Sequence, residues 1–169
     1  MATATLSAPP APGSTGAAHQ TAELQIVVFE LGDERYGLDI AAVYEIIRHQ
    51  PIVAVPHAPA CVEGVINLRG RIIPVVDLRE RLGLPAGAAT KATRIVVAET
   101  AGTRVGLIVD GVSEVLMVPP DAVEAPGALV AGTDAAALRG IAKLGERLIL
   151  LLDLSGLFAA DAAELAAVA

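Results

Sequence analysis

The feature that most narrows what this chain can become is that it repeats itself. Slid along its own length, Ile26-Val27-Val28 falls on Ile95-Val96-Val97, Glu30 on Glu99, Arg35 on Arg104, Gly37-Leu38 on Gly106-Leu107, Val43 on Val112 and Glu45 on Glu114. A slightly longer offset lays Gly64 on Gly140, Leu68 on Leu144, Arg71 on Arg147, Ile73 on Ile149 and Asp77-Leu78 on Asp153-Leu154. Apolar coincidences are expected in a chain that is 54% hydrophobic, so the matched Gly, Glu, Arg and Asp positions carry the repeat. Self-similarity on this scale marks a duplicated architecture.

The duplicated unit is rich in strands. Residues 24–31 and 35–38 are apolar runs separated by Gly32-Asp33-Glu34, the pattern of a hairpin. Asp39 is placed to cap a short turn over residues 40–42, and residues 43–48 read as strand or helix. Residues 64–68 and 72–76 form a second hairpin across Arg69-Gly70-Arg71, with Pro74 predicting an edge or a bulge because it donates no amide proton. A short helix is expected over 77–82, stopped by Gly83 and Pro85. Strands follow over 93–99, 103–109 and 112–118, with turns at Ala101-Gly102 and Asp110-Gly111, where glycine supplies a positive φ. A loop over 119–133 leads to a last hairpin, 138–144 with 147–152, and an Ala-rich terminal helix over 161–169. A small sheet hides its edges best by closing on itself. The expected fold is therefore mainly β: two small five-stranded β-barrel subdomains, about 23–84 and about 93–158, packed together with short helices. Residues 1–22, rich in Ala, Pro, Ser, Thr and Gly, read as a disordered arm without the marks of a signal peptide.

Several function classes fall away on composition. The net charge is −7, there are two lysines, and aromatic residues make up 2%, so the basic face and stacking rings of nucleic-acid binding are missing. No apolar run is long enough for a membrane helix. Cys61 is the only cysteine, which excludes an internal disulfide and points to a reducing compartment. No His or Cys pair has metal-ligand spacing, no glycine-rich phosphate loop is present, and no catalytic or cofactor-binding residue is expected. Cys61 with His57 is the one nucleophile–base pairing on offer, and a buried inert thiol is the better reading. Asp77, Asp110 and Asp153 read as strand terminators or helix caps. Arg69, at the tip of a very apolar hairpin, is either a solvated turn cation or a partner contact, and Glu45 is its nearest plausible acidic mate.

The string Gly64-Val-Ile-Asn-Leu-Arg-Gly-Arg-Ile-Ile-Pro-Val-Val-Asp-Leu78 closely resembles the signature of the CheW family of bacterial chemotaxis coupling proteins. So do Leu31-Gly-Asp-Glu-Arg-Tyr-Gly-Leu-Asp-Ile40, Val43-Tyr-Glu-Ile46 and Val109-Asp-Gly-Val-Ser-Glu-Val115. The resemblance runs over about 23–158. It implies two β-barrels with a shared core and no enzymatic activity. It implies a cytoplasmic adaptor, recruited to membrane-associated receptor arrays, that bridges chemoreceptor tips to the regulatory domain of the histidine kinase CheA. The same resemblance admits an adaptor of a pilus or gliding pathway. It implies that Arg69, in the Asn67-Leu-Arg-Gly70 turn, and Glu45 form the polar pair that shapes the coupling surface. Val43 and Gly64 would face the kinase domain, and receptor helices would lie between the barrels near Ile95 and Val115.

Overall fold

The computed structural model describes residues 23–58, 62–85, 87–125, 137–159 and Leu165. The expected arm (1–22), Cys61 and all of the terminal helix except Leu165 lie outside them. The apolar runs become strands β1 (Leu24–Leu31), β2 (Glu34–Asp39), β3 (Val43–Arg48), β4 (Val62–Leu68), β5 (Arg71–Asp77), β6 (Arg94–Thr100), β7 (Thr103–Val109), β8 (Gly111–Val118), β9 (Val123–Glu124), β10 (Leu138–Leu144) and β11 (Arg147–Leu152). Asp39 accepts a hydrogen bond from the Ala41 amide and caps the 3-10 turn Ile40–Ala42, as its position predicts. Asp77 caps the helical turn α1 (Leu78–Arg81) and Asp153 caps α2 (Leu154–Leu157) in the same way.

The strands form two sheets of mainly β architecture, ordered β8-β1-β2-β11-β10-β9 and β3-β6-β7-β5-β4. The first has six strands rather than five, because β9 adds a two-residue edge within the stretch expected as loop. The sequence halves are not the two subdomains. Strands β1 and β2 of the first half sit in the six-stranded sheet, and β6 and β7 of the second half sit in the five-stranded one. Among the described strands the chain crosses between sheets twice, from β2 to β3 and from β7 to β8, so the strands of the five-stranded sheet all fall between residues 43 and 109. The Asp110-Gly111 step is the second crossing and not a hairpin, and Gly111 opens β8 without a positive φ.

Parallel pairing stitches the halves together, and it obeys the repeat. Val75 of β5 pairs with Gly106 of β7, and their counterparts Leu151 of β11 and Gly37 of β2 pair likewise. A Cβ on Gly106 would come within 2.9 Å of Ile95, and one on Gly37 within 2.9 Å of Ile26, so both seams need glycine to leave room for the neighbouring side chains. Pro74 is not on an edge. Strand β5 lies between β4 and β7, and the parallel ladder begins at Val75, just past the proline.

Three apolar clusters explain the near-continuous hydrophobic runs. Ile26, Val28, Ile149 and Leu151 fill the six-stranded sheet, and Ile66, Ile73, Val75, Ile95 and Val97 fill the five-stranded one. Phe29, Leu31, Val76, Leu78, Val96, Leu107, Phe158 and Leu165, among others, form a shared core between the sheets. Strands such as β1 and β6 are thus covered on both faces, which removes the polar alternation of a half-exposed strand.

Candidate functional site

The hairpin joining β4 and β5 turns in two residues, Arg69 (φ 52°) and Gly70 (φ 83°), both left-handed. A two-residue turn of this kind matches the twist of its strands, and Asn or Gly normally occupies its first position. An arginine there is held at a conformational cost of roughly 1 kcal/mol or more. Asn67 Oδ1 accepts the Gly70 amide at 2.9 Å and pins the turn. The guanidinium of Arg69 reaches back across the mouth of the sheet to Glu45 on β3, 3.0 Å away. Strands β3 and β4 are the two edges of this sheet, so the ion pair ties one edge to the other. The pair that the resemblance implies is therefore present. Its arginine is exposed (72%) while the carboxylate is largely covered (20%), so its worth lies more in fixing a surface than in stability.

The duplication supplies a second latch that sequence reasoning overlooked. Glu114 on β8, the counterpart of Glu45, binds Arg147 at the start of β11 at 2.7 Å. The signal was in the repeat itself, since Glu45 maps onto Glu114. A further unforeseen contact sets Arg104 of β7 over the ring of Tyr44 on β3, 3.8 Å from its centre, beside the first latch.

The remaining expected residues divide. Val43 is half-buried and packs on the shared core at the start of the latch strand β3. Gly64 is buried beneath residues 52–53, where a Cβ would lie 2.3 Å from the Val53 carbonyl oxygen, so it meets its own chain and not a partner. Val115 is half-exposed (50%) on the edge strand β8. Ile95 is fully buried inside the five-stranded sheet, which corrects the expectation that it touches a partner. Tyr44 and Ile46 on β3, Ile72 on β5 and Val53 before β4 are exposed apolar groups of the segment that carries the first latch, and Met117 and Leu148 accompany Val115 on the other sheet. Exposed apolar groups beside fixed arginines are the material of protein interfaces.

Asp110 and Tyr36, two described groups with shifted acidity, belong to the fold. Asp110 at the second crossing accepts the Gly32 amide at 2.7 Å and pairs with Arg79, which also donates to the Pro85 carbonyl. The hydrogen bonds from Arg79 hold its carboxyl below the usual aspartate range, with Gly32 adding to the effect and burial opposing it. That ties α1, the β1–β2 turn and the β7–β8 crossing together and is structural. Burial, helped by the hydrogen bond to Glu34, raises the Tyr36 phenol well above its ordinary value and keeps it neutral. No group of acidic, His or Cys side chains among the described residues is arranged to hold a metal ion, and no described helix is long and apolar enough to cross a membrane.

The comparisons agree with one another. A family model described as a CheW-like domain matches residues 25–162. The chemotaxis protein CheW of Rhizobium meliloti is 36% identical over 142 residues, covering 84% of this chain and 92% of that protein. The Protein FrzA of Myxococcus xanthus is 30% identical over 109 residues, 64% of this chain and 68% of its own. Among solved structures, the scaffolding protein TtCheW from Thermoanaerobacter tengcongensis superposes with a TM-score of 0.75 at 42% identity, covering 80% of this chain and 88% of that one.

Proposed function

The chain belongs to the family of CheW-like domains, and on that premise we propose that it couples a chemoreceptor's cytoplasmic tip to the regulatory domain of a histidine kinase, as an adaptor and not an enzyme. Two partners held on one rigid body gain effective concentration, and a change in one is passed on only if the adaptor's two surfaces are mechanically linked. The shared core between the sheets supplies such a link. The observation that carries the reading is the Arg69–Glu45 latch. An arginine kept in a left-handed turn where glycine or asparagine would be easier, and two-thirds exposed or more, has its use outside the fold. The kinase domain is assigned to the latch face with Val43, Glu45, Asn67, Arg69 and Gly70. The receptor tip is assigned to the side near Val115 and the junction between sheets.

The test is binding of the purified chain to the regulatory domain of its co-encoded kinase, with and without a receptor-tip fragment. Arg69→Ala is expected to weaken kinase-domain binding about tenfold or more while moving stability by less than about 1 kcal/mol. Arg69→Glu with Glu45→Arg is expected to recover part of the loss. Unfolding of Arg69→Ala, or a chain that binds neither partner at micromolar concentration, defeats the proposal. The match to FrzA, a relative whose name is not that of a chemotaxis protein, admits a second reading, an adaptor of another pathway, such as pilus or gliding, with the same surfaces and a different kinase; which co-encoded kinase binds decides between them.

A further inference from the structure

At the end of the β3–β6 ladder two arginines stand directly opposite each other, Arg48 on β3 and Arg94 on β6. Directly opposed residues of an antiparallel pair share a face, and like charges placed so repel. A carboxylate at either position would have added stability, and a chain of net charge −7 is rich in carboxylates. A third cation, Lys91, is brought to the same place instead. Arg48, His49, Thr90, Lys91, Thr93 and Arg94 line an open depression of about 420 Å³, and no carboxylate is among them. None of the three cations has an ion-pair partner among the described residues. The acidic groups Glu63, Asp77 and Asp110 line the adjoining pocket, where Arg79 holds Asp110.

The lining is fixed in place. Residues 90–93 form a tight turn in which the Thr90 amide donates to Thr93 Oγ1 at 2.8 Å, the Ala92 amide to Thr90 Oγ1 at 3.1 Å and the Thr93 amide to the Thr90 carbonyl at 3.2 Å. Both hydroxyl oxygens are used as acceptors, so their protons remain to be donated. Arg94 Nη1 donates to the carbonyls of Lys91 and Thr93 at 2.8 and 2.9 Å, which anchors the guanidinium to the turn without neutralising it. A guanidinium has more donors than two carbonyls can use.

We propose that this depression binds linked phosphoryl groups, as pyrophosphate or as the polyphosphate tail of a small molecule. A multiply charged oxyanion set between Arg48 and Arg94 converts their repulsion into a shared attraction, and forked guanidinium donors match phosphate oxygens two at a time. The depression is larger than a single ion needs and lies in the range of roughly 300–1,000 Å³ common to small-molecule sites. Its lining holds no aromatic ring to stack a base, so the phosphoryl groups carry the recognition. The ligand is independent of which kinase or receptor the chain serves.

The test is calorimetric titration of the full chain with pyrophosphate at low ionic strength and without divalent cations, against sodium chloride of matched ionic strength. Arg48→Gln and Lys91→Gln are each expected to weaken pyrophosphate binding about tenfold. Arg139→Gln, on β10 of the other sheet, is expected to change it less than about twofold. Without pyrophosphate, Arg48→Gln should melt at or above the wild-type temperature, because it removes the repulsion across the ladder. Parallel titrations with tripolyphosphate and ATP separate the sources: equal affinity assigns the phosphoryl chain alone, and tighter ATP binding assigns a nucleotide. The proposal is overturned if pyrophosphate produces no binding beyond the salt control, if Arg48→Gln and Lys91→Gln bind it like wild type, or if Arg139→Gln loses it equally. An Arg48→Gln chain that melts below wild type also overturns it, since the arginine would then serve the fold.

Discussion

At the scale of single residues, closeness of backbone to backbone decides more than side-chain chemistry does. Gly64 lets residues 52–53 lie against β4, where Val53 and Val65 exchange backbone hydrogen bonds at 2.9 and 2.8 Å. A methyl group there would stand 2.3 Å from a carbonyl oxygen, which has no soft direction to yield. Gly64→Ala is therefore expected to destabilise the chain by about 1–3 kcal/mol. The matching change Gly140→Ala, whose Cβ would sit 2.9 Å from the Glu124 carbonyl oxygen, should cost less; urea titration of the two variants gives the order. Any loss of partner binding in Gly64→Ala then follows from a displaced strand neighbour and not from a lost contact. The residue scale also shows how far the sequence could be read. Spacing offered Glu45 as a plausible mate for Arg69 and left a solvated turn cation open, and the resemblance to the family's turn motif is what made the pair legible. Ile95 was misread because Ile95-Val96-Val97-Ala98 is apolar at every position, so nothing in the run distinguishes an inward from an outward face.

At the scale of elements, strands and caps were legible and their assignment to sheets was not. Residues covered on both faces produce runs that any strand reading catches, and Asp39, Asp77 and Asp153 cap where a carboxylate before a turn should. Strand β9 escaped because two residues carry no periodicity. The crossing from β2 to β3 escaped because it is a single 3-10 turn, which looks in sequence like any connection between neighbours. The other crossing is held by Asp110, bound at once to Arg79 on α1 and to Gly32 in the β1–β2 turn. Its carboxyl is depressed by those bonds, so its contribution is whole above the unfolded aspartate value near pH 4 and disappears as pH falls through the lower folded value. Asp110→Asn is expected to cost about 1–3 kcal/mol at pH 7. The difference in melting temperature from wild type should be full at pH 7 and shrink as the pH is taken below about 4. An unchanged difference across that range would show that the carboxylate's charge is irrelevant to the tie.

At the scale of the molecule, the two sheets share the largest of the three cores, with Phe29, Leu31 and Tyr36 from one side against Val76, Val96 and Leu107 from the other. Neither sheet can lose the other without exposing that surface to water. Urea unfolding is therefore expected to be a single transition, with coincident midpoints for circular dichroism and for a fluorophore placed on either sheet. Two resolved transitions would mean that the shared core does not bind the sheets into one unit. The duplicated sequence suggests two halves that might live apart, yet a chain cut between residues 84 and 93 would strand β1 and β2 from β11 and β6 and β7 from β5.

The natural boundaries fall instead at the two crossings, so that 43–109 forms an inset, entered once and left once, which carries the whole of the five-stranded sheet. Everything that addresses the kinase in this proposal lies within that inset, and Val115, Met117 and Leu148 lie outside it. Such a layout behaves as a cassette. On the assignment proposed above, transplanting it between relatives, together with its share of the common core, is expected to exchange the kinase-facing surface and leave the receptor-facing one in place.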